Sequence, residues 1–527
     1  MPPEPWPRCP VIYEIYPRSF RDTTGSGTGD LQGVLNGLDH VADLGVDAIW
    51  IAPFYASTME DGGYDIIDHC AVDPAMGDLD TVRRIIDGAH ELGLRVLTDQ
   101  VLNHTSYRNV WFEKSANRQD GFDDWYVWRD AKPDGTAPNN WMSYFGPPAW
   151  TWDHRREQYY WHQFLACQPN LNLRHEDVQA ALKAQMRFWR DLGVDGFRMD
   201  AISAYLHDET FADNPVATPD VRERVAGPSF SPYARQDHKY DLLPGDGAAY
   251  CDKVRDWAGE DAYLLGEINV GNEAVELARQ FTEKGRLDTT YTIDFRERGF
   301  TPRVIADVLD RAARRGEPAG RLTMWLSSHD QARHVSTFGD GSARDARFLA
   351  MAAGCLPGPW LIFQGEELGL PQPDLSREET TDPFDLMFWP DGPGREGPRV
   401  PIPWTEEGNA FGFTSGTPWL PMRWSEGASV QAQSQDNGSV LNFYKILLHL
   451  RRAHRFADGR IEAIEAKDDL LYLRTSCDAA SFVVAMNFGT EQQRPISGIT
   501  GECLLATENA VSADRLPPRA AGLWRLS

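Results

Sequence analysis

The stretch DLDTVRRIIDGAHELGLRVLTDQVLNH, residues 78–104, decides the fold. Its first half, 78–92, has apolar residues at helical spacing, and Gly93 marks the stop. Its second half, 95–101, is a short apolar run of the kind that forms parallel strands buried on both faces. The unit closes on DQVLNH, which turns polar where the strand gives way to a loop.

The same alternation runs along the whole chain. Strands are expected at 11–16, 48–54, 95–101, 196–200, 263–269, 289–295, 322–328 and 360–364. Helical patterns fall at 31–44, 78–92, 176–192, 248–258, 271–281, 302–314, 342–354 and 440–454. Eight alternating units imply an α/β fold of the (β/α)8 TIM-barrel type. Periodicity alone does not separate a barrel from an open doubly wound sheet. No GxGxxG turn follows the first strand, which argues against a dinucleotide-binding sheet.

A barrel takes about 250 residues, so much of the 527-residue chain lies elsewhere. One excess, 104–167, follows the third strand. It is dense in Trp, Tyr, Asp, Asn, Gly and Pro and reads as an inserted B lobe. A second, about 370–427, is rich in Pro, Gly and Asp and forms a loop subdomain after the eighth strand. Beyond 456 the pattern changes to short alternating runs such as LLYLR and SFVVAMNF, expected for a C-terminal antiparallel β domain. The catalytic barrel is thus assigned to 1–103 and 168–455, the B lobe to 104–167, and the β domain to 456–527.

The hydrophobic fraction of 42% and charged fraction of 25% are ordinary for a globular protein. No apolar run approaches the roughly 20 residues that span a bilayer. MPPEPWPRCP has no basic region followed by an apolar one, so no secretory signal is expected. Seven scattered Cys without a CxxC pair form no disulfide framework, and together these features point to a reducing cytoplasm. The 78 acidic residues against 52 basic give a net charge of −26, which repels nucleic acid and anionic membranes and suits a neutral small-molecule substrate such as a sugar.

Four segments concentrate polar residues at strand ends. DQVLNH places Asp99, Asn103 and His104 after the third strand; a capped turn would read the same way. GFRMD ends the fourth. Strand side chains alternate, so Arg198 and Asp200 project together toward the barrel mouth while Phe197 and Met199 pack against the helices. The Arg is expected to lower the carboxyl's pKa and keep it ionised, as a nucleophile must be; a purely structural ion pair is the alternative. LLGEI brings Glu267 to the end of the fifth strand, where shielding from water raises a carboxyl's pKa and suits a general acid; pairing with a nearby Arg is the alternative. SSHD puts His329 and Asp330 at the end of the seventh. Several acids and two His also make a metal site conceivable, but HxH and HExxH spacings are absent. Two carboxyl groups about 5–5.5 Å apart are the arrangement for glycoside hydrolysis with retention.

These four segments, in this order and on these strands, resemble the four signature regions of the α-amylase family, glycoside hydrolase family 13. The resemblance covers essentially the whole chain and implies a role for each residue. Asp200 would be the nucleophile, Glu267 the acid/base and Asp330 the transition-state stabiliser. His104, Arg198 and His329 would hold the glucosyl unit and the nucleophile, with Asp99, Asn103 and Arg333 in support. In GGYDI, Tyr64 resembles the aromatic ring under the sugar and Asp65 a ligand for its non-reducing end. QPNLN, from Gln168, is similar to the QPDLN signature of the oligo-1,6-glucosidase-like subgroup, with Asn170 in place of Asp. SYFGPPAW, with Phe145, and GREGPRVPIPW, with Arg399, fit the same subgroup. Arg399 is expected to pair with Asp65 and close the pocket, which implies exo-action on short α-glucosides. Ala201, after the nucleophile, resembles the α-1,4-preferring enzymes.

There are two departures. Where the family often has DxNxDGxGD, a Ca²⁺ or Mg²⁺ loop, this chain has DTTGSGTGD. Asp22 and Asp30 remain, but Thr24 and Ser26 supply weaker ligands for a hard cation, so a weak or empty site is expected and no cofactor is required. Ser328 stands where the family usually has Asn. The functions that remain open at this level are an α-glucosidase with accompanying transglucosylation, a dedicated α-glucosyltransferase using the same residues, an α-1,6-preferring oligo-glucosidase, and a non-enzymatic sugar-binding relative, which would have no need of three mutually repelling acids. A monomer or homodimer is expected.

Overall fold

A computed structural model describes residues 5–222, 231–270, 273–312, 320–392, 394–408, 410–478 and 480–527. The opening stretch folds as its spacing requires. Asp78 accepts the Thr81 N–H at 2.7 Å and caps the helix Leu79–Glu91. Val82, Ile85, Ile86 and Ala89 form its buried stripe, and the chain turns at Gly93 with φ 77°. The strand Arg95–Gln100 follows and is almost wholly buried.

Seven parallel strands form one curled sheet: Val11–Ile15, Ala48–Ile51, Arg95–Gln100, Gly196–Met199, Tyr263–Ile268, Thr289–Thr292 and Trp360–Phe363. They pair in chain order, and the last strand returns to the first (Val11 opposite Trp360). The expected seventh strand, 322–328, is not a regular strand. It closes the barrel through bridges from Leu322 to Thr290 and from Met324 to Trp360. The ladder stops there because the Trp325 indole donates to the Thr292 carbonyl at 2.6 Å, occupying an acceptor a further strand bond would use. Several other strands stop short of their expected ends: the second ends before Pro53, and the sixth gives way to the helix Asp294–Arg298.

Most expected helices are present, including Leu31–Leu44, Glu176–Leu192 and Val440–His454. Those expected over 271–281 and 302–314 are seen as Ala274–Thr282 and Pro302–Ala312; residues 271–272 and 313–314 lie outside the described residues. Phe197 and Met199 join the same core as helix residues such as Val178 and Leu182. Inside the barrel a separate apolar plug contains Ile12, Trp50, Leu97, Leu265, Tyr291 and Trp325.

After the third strand, Trp128–Arg129, Gln158–Trp161 and Trp150–Asp153 make a small antiparallel sheet in the inserted lobe. A hairpin, Tyr55–Ser57 with Ile66–Val72, was not foreseen; its loop carries Asp61, Tyr64 and Asp65. The C-terminal sheet holds five antiparallel strands between Arg460 and Leu526. Among the described residues no helix is long and apolar enough to cross a membrane.

Candidate active site

The strand ends converge on Arg198. It is buried, and its guanidinium reaches Asp99 at 2.9 Å, Asp200 at 2.6 Å and Glu267 at 2.7 Å. Strand register explains the cluster, since Arg198 lies opposite Asp99 on one side and Leu265 on the other. Asp99 also accepts from Trp50 and Tyr64, each at 3.1 Å. The Tyr291 hydroxyl accepts from Arg198 Nε and Nη2 at 3.0 and 2.8 Å. Tyr291 stands opposite Glu267 on the sixth strand.

One cation shared among three acids changes their proton affinities. Burial raises the Asp200 carboxyl, Arg198 opposes it, and Asp99 and Asp330 add to the rise. The expected lowering by Arg198 is therefore corrected: its charge is divided among Asp99, Asp200 and Glu267 and does not overcome desolvation. Burial likewise lifts Glu267 to about 6 against the pull of Arg198. The anticipated raised acid and the alternative of an Arg partner thus both hold for Glu267.

Ala201 follows the nucleophile candidate with φ 42° and ψ 45°, a left-handed conformation that costs a non-glycine residue. This turn aims the Ala201 N–H at Glu267 Oε2, 3.0 Å away.

Asp330 behaves oppositely to Asp200. Burial would raise it, but Arg395, His329 and Arg399 hold it well below the usual carboxylate range. Arg395 contacts it at 2.8 Å and Arg399 at 2.5 Å. Ser328, the departure from the family pattern, accepts the Asp330 N–H at 3.2 Å and leaves the acid in place.

These groups line a cavity of about 250 Å³, with Asp61, Tyr64, His104, Phe145, Asp200, Ala201, Glu267, Asp330 and Arg395 in its wall. His104 is driven to about 3 by burial, so it is neutral; its Nε2 lies 3.1 Å from the Tyr64 carbonyl. Tyr64 stacks on His329, with centroids 5.2 Å apart.

The expected pair of Asp65 and Arg399 does not form. Asp65 is buried behind the wall, accepting from Ser57 Oγ at 2.9 Å, Thr58 N at 3.0 Å and Asp61 N at 3.1 Å. Gly62 and Gly63, with φ of 58° and 111°, turn the chain so that Asp61 reaches the cavity instead. Its partner is Arg395, at 3.3 Å. Arg399 sits behind Asp330, donating to the His329 carbonyl at 2.8 Å and pairing with Asp382 at 3.1 Å. Asp61 and Arg395 each stand four residues before the residue singled out, Asp61 just ahead of GGYDI and Arg395 within GREGPRVPIPW; the two glycines were the only signal.

Other named residues support from outside the cavity. Asn103 bonds Gln163 at 2.7 Å and accepts from Asn170 at 2.6 Å. Gln168 donates to Asp61 at 2.9 Å. Arg333 holds the Gln364 and Pro398 carbonyls at 3.1 and 2.8 Å, fixing the loop that carries Arg395 and Arg399.

The DTTGSGTGD loop turns donors toward its acids. Asp22 accepts the N–H groups of Thr24, Gly25 and Gly27 at 2.8, 3.0 and 2.7 Å, and Asp30 accepts those of Thr23 and Gly33, both at 2.7 Å. Oxygens already fed by five N–H donors do not fit a hard cation, which wants carboxylates free to coordinate. Among the described residues no group of three or more His, Cys, Asp or Glu is placed to hold a metal.

A barrel whose strand ends gather three acids around one arginine is that of a glycoside hydrolase, and the chain belongs to the α-amylase family: the model of its catalytic domain, "Alpha amylase, catalytic domain", matches residues 14–459. Among relatives, the chain is 43% identical to a probable alpha-glucosidase of Rhizobium meliloti (strain 1021), over 90% of this chain and 88% of that one. It is 33% identical to the oligo-1,6-glucosidase of Heyndrickxia coagulans, covering 92% of each. Among solved structures, the alpha-glucosyl transfer enzyme XgtA superposes with a TM-score of 0.92 at 37% identity, covering 99% of this chain and 100% of the other.

Proposed function

We propose that this glycoside hydrolase is an exo-acting, retaining α-glucosidase that cleaves terminal, preferentially α-1,4, bonds of short α-glucosides. The observation that carries the reading is one guanidinium binding Asp200 at 2.6 Å and Glu267 at 2.7 Å in the wall of a small cavity. In this reading Asp200 attacks the anomeric carbon while Glu267 gives its proton to the leaving oxygen. Glu267 then takes a proton from water, which attacks the glucosyl-enzyme and frees Asp200. Asp330 stabilises positive charge as the bond breaks. A cavity of about 250 Å³ falls below the roughly 300–1,000 Å³ that takes drug-sized ligands. It suits one sugar unit, with Tyr64 beneath it and the Asp61–Arg395 pair at its closed end. No step requires a metal.

A second reading, transfer of the glucosyl unit to an acceptor hydroxyl, draws support from the likeness to the alpha-glucosyl transfer enzyme. It uses the same intermediate. A cytoplasmic location accords with seven cysteines that are all unbridged. The test is product analysis on maltose and, separately, isomaltose, with Asp200→Ala as control. Glucose released faster from maltose supports the reading. Faster release from isomaltose overturns the linkage preference, and new glucosides in place of free glucose favour transfer.

A further inference from the structure

Glu14 is an acid in the middle of the first barrel strand, in VIYEI, with every residue of that strand buried. A carboxyl in such a place is costly unless it is paired. Its Oε1 accepts the main-chain N–H of His329 at 3.2 Å and lies 2.5 Å from His329 Nδ1. Its Oε2 is buried with no hydrogen-bond partner. The imidazole is clamped between two stacked rings, Tyr64 at 5.2 Å and Tyr16 at 5.8 Å, with Trp50 edge-on at 5.9 Å.

The other ring nitrogen, Nε2, faces Asp330 Oδ2 at 3.4 Å and is buried without a completed hydrogen bond. Both ring nitrogens therefore face carboxylate oxygens, and a nitrogen opposite a carboxylate carries hydrogen. We propose that Glu14 is a positioning residue of the sugar pocket, holding His329 as an imidazolium whose Nε2–H is turned toward Asp330 in the cavity wall, so that the ring supports glucosyl binding through that carboxylate. This rests on the α-glucosidase reading of the cavity.

The surroundings agree. The charged or titratable groups around the ring are Glu14 on the first strand, Asp99 on the third, Asp330 beside it, Tyr16 and Tyr64 on its faces, and Arg399 on its carbonyl. Burial would strip the ring of its second proton, but Asp330 and Glu14 outweigh it and raise the imidazole to about 9.

The role separates from packing by charge. Glu14→Gln keeps the shape and an accepting oxygen but removes the charge, so His329 loses its proton at a lower pH. The experiment is calorimetric titration of D-glucose into wild type and Glu14→Gln from pH 6 to 10, with melting temperatures recorded at each pH. Glu267 and Asp200 titrate at the low end of this range in both proteins, so the readout is the difference between them; wild-type affinity is expected to fall as pH passes about 9. The variant should weaken from at least one pH unit lower, binding about tenfold less tightly in the window between. An unchanged pH dependence overturns the proposal, as does an equal loss at every pH with a lowered melting temperature, which marks packing alone. Failure of wild type to bind glucose at any pH overturns the functional reading, and this proposal with it.

Discussion

Replacing Glu267 by Gln isolates the proton that cleavage needs. Burial lifts this carboxyl from an ordinary 4.5 to about 6. At pH 7 about one molecule in eleven is then protonated, against about one in three hundred for an unshifted glutamate, a gain of about thirty-fold in the competent acid. Turnover needs the protonated form, so wild-type kcat/KM on maltose falls as pH rises through about 6. Asp200 must be ionised to attack, and burial with Asp99 and Asp330 raises its carboxyl as well, so the acidic limb overlaps this one and the profile is narrow. Gln cannot donate this proton. The variant loses the basic limb, and its kcat/KM on maltose drops by about 10²–10⁴. An activated aryl α-glucoside, whose leaving group needs little protonation, should lose much less. The assay is initial rates on both substrates from pH 4 to 9. Equal losses on the two substrates, or a variant that keeps the limb near pH 6, would refute the role of Glu267.

Three other outcomes follow from the same geometry. Arg395→Leu leaves Asp61 and Asp330 without their shared cation and should cost about 3–5 kcal/mol, as breaking a buried pair does. Because Asp330 is held below its ordinary 3.8, calorimetric melting should show the full difference from wild type above that pH and a vanishing one as pH falls through the depressed value; a pH-independent difference would contradict the pairing. Ala201→Val puts a β-branched side chain at φ 42° beside Glu267 and should shift the ratio of kcat/KM for maltose over isomaltose toward isomaltose; an unchanged ratio removes Ala201 from specificity. Prolonged EDTA treatment should leave activity and melting unchanged, since N–H donors already fill the carboxylates of Asp22 and Asp30; a loss restored by Ca²⁺ would show otherwise.

The barrel was legible because its signals are local. The buried stripe of Val82, Ile85, Ile86 and Ala89 is written in the spacing of one helix, and the turn after it in Gly93. Arg198 and Asp200 share a side of one strand by simple alternation. The wall of the pocket beside Asp330 was not legible, because DGGYDI offers two aspartates and GREGPR two arginines. Which acid enters the cavity depends on the φ angles of Gly62 and Gly63, and which arginine meets it depends on a loop fixed from afar by Arg333. The raised Asp200 pKa is hidden for a related reason: a sequence shows an Arg two residues from an Asp, but not that two further acids share that Arg. Tyr291 gave no signal in TTYT, since its contact with Arg198 exists only once the fourth, fifth and sixth strands are in register.

The central claim is that Asp200 forms a covalent bond to the sugar. The most direct test is to incubate the protein with a fluorinated α-glucosyl fluoride that slows hydrolysis of the intermediate, digest it, and locate the label by mass spectrometry. A glucosyl ester on the peptide bearing Asp200, absent from Asp200→Ala, is the predicted result. An active protein that carries no label, or carries it on another residue, would contradict the account.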